Sequence, residues 1–118
     1  MSNLKANVER IIQDLEQGII ITQEDIDNGY VDSCMYEVGD MMSGFDYLQD
    51  VIDIEYICTS NKEYKGARIM VTFGGPNIWI NTRTRQVEGS WWGESCVISY
   101  ETDSFDLDEC LETLFNSY

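Results

Sequence analysis

Apolar positions along this chain keep a helical period at both ends and alternate in the middle. Leu4, Val8, Ile11, Ile12 and Leu15 stand at i, i+4, i+7, i+8 and i+11, one face of an amphipathic helix that Gly18 can close. Thr22 with Asp25 three residues later matches a capping box, Asp replacing the usual Glu. Beyond it Ile26, Tyr30, Cys34, Val38, Met41 and Phe45 keep helical spacing, a second helix that Gly29, Gly39 and Gly44 weaken and are able to break.

From Ile52 the period becomes two. Ile52, Ile54, Tyr56 and Cys58 alternate with Asp53, Glu55 and Ile57, and Ala67, Ile69, Val71 and Phe73 alternate with Arg68, Met70 and Thr72. Gly74-Gly75-Pro76 is a turn, after which Ile78 and Ile80 alternate with Trp79 and Asn81. Residues 81–85 form a hairpin connection into Val87–Trp92, and Cys96, Ile98 and Tyr100 make a last strand. Leu107, Cys110, Leu111, Leu114, Phe115 and Tyr118 then return to helical spacing, with Asp106 as N-cap and Glu109 as the matching acid.

Helices followed by a run of strands, without βαβ alternation, predict one α+β domain over residues 1–118. Its sheet is mostly antiparallel, of about five strands. The N-terminal helices and the C-terminal helix cover the face carrying Ile54, Ile69, Val71, Ile78, Ile80, Val87 and Ile98. Ile57, Arg68, Met70, Trp79, Glu88, Trp92 and Val97 then point outward, an aromatic patch suited to binding another protein or a second copy.

A hydrophobic fraction of 43% is enough for a core in a chain of 118 residues, which sets aside the disordered acidic tail. No basic n-region with an apolar run and cleavage site opens the chain, and no stretch approaches about 18 apolar residues, so a cytoplasmic protein with no membrane partner is expected. Cys34, Cys58, Cys96 and Cys110 form no CxxC pair and have no histidine to complete a zinc site, and their apolar flanks predict buried free thiols. Absence of histidine also leaves a Ser or Cys nucleophile without its usual base, and no motif singles out a carboxylate pair. The expectation is therefore no enzyme and no cofactor. Asp103, Asp106, Asp108, Glu109 and Glu112 lack EF-hand spacing and a mid-loop glycine, so no metal site is assigned to them.

Charge changes the picture most. The formal net charge is −15, from 22 acids against 7 Lys and Arg, and it is unevenly laid out. Residues 11–61 contain no Lys or Arg, whereas Lys62, Lys65, Arg68, Arg83 and Arg85 all lie within residues 56–93. Self-repulsion of this size opposes compaction, so a role outside folding maintains it: attraction of a basic partner rather than direct contact with nucleic acid. Spread evenly over roughly 6,600 Å² of surface, the charge would be too sparse to imitate a nucleic-acid backbone, so mimicry requires acids gathered on one face.

In size, net charge, its Lys/Arg-free stretch and its lack of catalytic residues, the chain resembles the small acidic inhibitors of phages and mobile elements. These are antirestriction DNA mimics and anti-CRISPR proteins. The resemblance implies a stoichiometric inhibitor that occupies the basic nucleic-acid groove of a host defence nuclease. Glu24, Asp25, Asp27, Asp32, Glu37, Asp40 and Asp46, with Asp103, Asp106 and Asp108, are the expected electrostatic contacts, and Trp79 and Trp92 the hydrophobic anchors. Three other readings stand beside it: an immunity-type partner of a basic toxin, a homodimeric regulatory domain with incidental acidity, and an enzyme using carboxylates alone.

Overall fold

The computed structural model describes residues 3–31 and 33–117. Five strands run in the order of the sequence, each antiparallel to the next: β1 Asp53–Cys58, β2 Tyr64–Thr72, β3 Asn77–Asn81, β4 Gln86–Trp91 and β5 Glu94–Ser99. Short connections between period-two segments make this meander the cheapest pairing in loop entropy. Helix α1, Leu4–Gln17, packs on β4 and β5, and α4, Leu107–Phe115, packs on β2. The fold is α+β, as the periodicity predicts.

The register carries one apolar row across the whole sheet. Ile54 faces Ile69, which faces Ile80, then Val87, then Ile98, all on the side the helices cover. Ile69, Ile80 and Val87 are fully buried there, and from α1 Leu4, Val8, Ile11, Ile12 and Leu15 close over the row. Each such side chain contributes roughly 1.5–3 kcal/mol of burial, which is why the periodic positions, rather than helix propensity, hold α1 in place. On the other side Asp53, Met70, Trp79, Glu88 and Val97 form the parallel row, and no described helix covers it.

The single second helix is replaced by two short ones. Its capping box forms as predicted: Thr22 Oγ1 accepts from the Asp25 amide, and the Asp25 carboxylate accepts from the Thr22 amide at 2.9 Å. The helix it starts, α2, ends after Gln23–Asp27, because Gly29 and Gly39 adopt φ of +73° and +97°, outside any right-handed helix. Helical structure resumes at α3, Gly44–Gln49, with the Ser43 hydroxyl accepting from the Asp46 amide. Between α2 and α3 the chain doubles back on itself: Ile20 bridges to Met41, and Met42 donates to the Ile19 carbonyl.

Two local expectations are corrected. Asp106 occupies the N-cap position of α4 but lies in the left-handed region (φ 53°) and makes no capping bond with its side chain. Asp103 does the work instead, accepting from the Phe105 amide at 3.1 Å and the Leu107 amide at 2.7 Å. The cysteines are also less buried than their flanks imply. Cys110 is buried, Cys96 half-buried, and Cys34 and Cys58 exposed, with no disulfide joining them.

Candidate functional interface

The helix break turns residues 19–50 into a lobe with its own chemistry. Glu24, Asp25, Asp27, Glu37, Asp40, Asp46 and Asp50 lie on its described part, and the segment contains no Lys or Arg. Asp32 belongs to it in sequence but lies outside the described residues. Among the described residues the ion pairs are Lys5–Glu9 at 3.8 Å and Arg68–Glu55 at 4.0 Å, both outside the lobe. No ion pair among the described residues therefore offsets its negative charge.

Several of these carboxylates already hold the backbone. Asp25 closes the capping box, Asp40 accepts from the Glu37 amide at 2.8 Å, and Gln23 donates to Asp27 at 2.9 Å. Ser43 donates through its amide to the Tyr36 hydroxyl at 2.9 Å, and that hydroxyl donates to Asp46. Hydrogen-bonded carboxylates of this kind are fixed in position yet keep lone pairs for a partner. Glu24 and Glu37 are exposed.

The same break exposes apolar side chains that a continuous helix would have turned inward. Of the ten large hydrophobic residues exposed among those described, six are on the lobe: Ile20, Tyr30, Met35, Val38, Met41 and Phe45. Tyr30 is 74% and Met35 71% exposed. Exposed aromatic and thioether groups together with acids on one lobe have the composition of a protein-binding surface. From sequence Tyr30, Val38, Met41 and Phe45 among them read as one face of a second helix; the signal that overturns this is the pair of glycines at 29 and 39.

The other predicted site residues lie apart from the lobe and from one another. Trp79 is half-buried at the centre of the outer sheet face, with the Arg68 guanidinium 4.3 Å above its ring. Trp92 is 89% exposed at the β4–β5 hairpin tip, not in a strand. The two do not form one patch. Asp108 accepts from the Tyr64 hydroxyl at 2.7 Å, and Asp103 is half-buried under its two amide bonds. Burial pushes the Asp103 carboxyl above the usual carboxylate range, its two amide bonds opposing the shift and Asp108 and Asp106 adding to it.

Cations and acids do not divide into two faces. The outer sheet face carries Asp53, Glu55 and Glu88 as well as Arg68, while Lys62, Lys65, Arg83 and Arg85 gather in and beside the β1–β2 and β3–β4 turns. Those turns share one end of the meander. The lobe adjoins the opposite end of β2, where a cavity is lined by Met42 and Val51 together with Val71 and Thr72. Among the described residues no His/Cys/Asp/Glu group is arranged to hold a metal ion, and no helix is long and apolar enough to cross a membrane. Comparison with family models, curated proteins and solved structures finds no match for the chain.

Proposed function

We propose that the chain is a non-enzymatic acidic protein that binds a basic, nucleic-acid-binding protein and inhibits it by standing in for DNA or RNA. The acidic lobe carries this reading: its seven described carboxylates have no Lys or Arg within the segment and no ion pair outside it. A groove built to neutralise phosphates would gain the same Coulomb attraction from them, with release of counterions. The target class is a host defence nuclease, as for antirestriction and anti-CRISPR inhibitors. Asp103, Asp106 and Asp108 have a secondary part, since Asp103 and Asp108 are engaged by internal hydrogen bonds.

The test is displacement. Labelled duplex DNA bound to each of a panel of basic nucleases is titrated with the chain at rising salt. The expected result is release of DNA from a susceptible nuclease, weakening as salt screens the contacts. Glu24→Lys, Asp27→Lys and Glu37→Lys together should cost at least about tenfold in affinity, or ~1.4 kcal/mol. Displacement that ignores both salt and charge reversal would overturn the proposal. Tight binding to a single toxin without competition from nucleic acid would instead establish the immunity-type reading.

A further inference from the structure

Two cavities meet at the base of the lobe, and their walls differ in chemistry. The first, of about 270 Å³, is lined by Tyr30, Met35, Tyr36, Met42, Asp46 and Asp50, among others, with no cation in its wall. The second, of about 340 Å³, is lined by Ile11, Ile19, Met42, Val51 and Val71 together with Arg10, Asp14 and Asp50, among others. Met42 and Asp50 belong to both. Each volume is at or below the small end of ligand pockets and suits one side chain rather than a cofactor.

We infer that this paired groove seats a basic residue and its bulky aliphatic neighbour from the partner protein, the cation between Asp46 and Asp50 and the aliphatic group beyond Met42. The inference rests on the reading of the chain as a binder of basic proteins, and it names the contact that would make such binding selective. A guanidinium or ammonium entering the first cavity meets two carboxylates and the rings of Tyr30 and Tyr36. Methionine thioethers adapt their shape to an alkyl stem. Asp46 is held in place by the Tyr36 hydroxyl, which is in turn fixed by the Ser43 amide, so part of the site is organised before binding.

Arg10 sets the polarity of the groove. It lies at the second cavity near Asp14, whose carboxyl is raised by burial and lowered by Arg10. Of the two cavities only the second has Arg10 in its lining, so a partner cation gains more in the first, whose charged lining is Asp46 and Asp50. Exposure of Tyr30 and Met35 at the mouth gives the backbone on either side of the anchor an apolar surface to lie on. Selectivity of this kind is absent from a bare polyanion, which attracts any basic surface.

The probe is the peptide acetyl-Gly-Arg-Leu-Gly-amide, with the same peptide carrying citrulline for arginine, titrated against the intact chain labelled at its methionine methyls. Met70 on the outer sheet face is an internal control. Saturable shifts at Met35 and Met42 with Met70 unmoved, at least fivefold weaker for citrulline and for Asp50→Asn, support the inference. Equal shifts at Met70, equal binding of the citrulline peptide, or an Asp50→Asn chain that binds as the parent does, would each overturn it. Asp50 is exposed, so the substitution leaves the fold intact, which the remaining spectrum verifies. DNA displacement run beside it separates the two claims. A seated peptide without displacement from any nuclease keeps the groove and removes the inhibitor. Displacement by Asp50→Asn equal to that by the parent, with no seated peptide, removes the groove and keeps the inhibitor.

Discussion

Single residues in this protein depart from their sequence-level roles where the backbone is in a left-handed conformation. Trp92 and Gly93 have φ of +53° and +79° between the paired residues Trp91 and Glu94, the signature of a two-residue type I′ hairpin turn. Glycine fits its position; tryptophan at the first does not, because its Cβ crowds the following carbonyl. Alternation along Val87–Trp92 cannot reveal this, since a strand that ends one residue earlier shows the same pattern until the turn is known. Trp91 accordingly packs toward the core and Trp92 stands in solvent. Replacing Trp92→Asn supplies the Asn-Gly pair that such turns favour and forfeits almost no buried area. It should stabilise the chain by about 1 kcal/mol in urea unfolding. A loss of stability would mean that the ring has contacts that its exposure hides.

Elements are joined where small residues permit close approach, and the α3–α4 junction is the clearest case. Gly44 opens α3 against the Phe105 carbonyl and the Cys110 sulfur, so that a Cβ there would run into backbone that has no freedom to yield. Tyr47, one turn on, stacks on Phe105 with ring centroids 4.5 Å apart. Gly44→Ala should therefore destabilise the protein by about 1–3 kcal/mol, although alanine is the better helix former, and thermal unfolding distinguishes the signs. The sheet and the outer two helices were legible because each buries one face and so imposes a strict period on Ile54, Ile69, Ile80, Val87, Ile98 and on the α1 and α4 stripes. The lobe was not. Ile26, Tyr30, Cys34, Val38, Met41 and Phe45 keep helical spacing by sequence, yet two positive-φ glycines decide the outcome and turn five of them outward. Its acids could be read from composition, whereas the cavity between Tyr36, Met42 and Asp50 needed the doubled-back chain that only the fold provides.

At the scale of the whole molecule, a thin body of 44 × 41 × 26 Å exposes 7452 Å², more than the roughly 6,600 Å² expected for this length. Fifteen net negative charges over that area come to about one per 500 Å², so any imitation of a nucleic acid is local to the lobe. The same charge weighs on stability through pH. Burial raises the carboxyls of Asp14 and Asp103 above their ordinary value of 3.8, so between that value and the raised one the folded chain binds more protons than the unfolded chain. Stability therefore falls as pH rises through this window and increases on mild acidification from neutrality, with no further gain from these two groups below the ordinary value. Protonating other acids relieves self-repulsion in the same direction, but added salt screens that part and leaves the desolvation part. The melting temperature should thus rise as the pH is lowered from neutrality towards the ordinary value of 3.8, less steeply at ~0.5 M salt and less again in Asp14→Asn. A melting temperature that falls over this interval at both salt concentrations would show that the carboxylates are stabilised in the folded state, and that the burial of Asp14 and Asp103 is compensated by contacts stronger than those seen here.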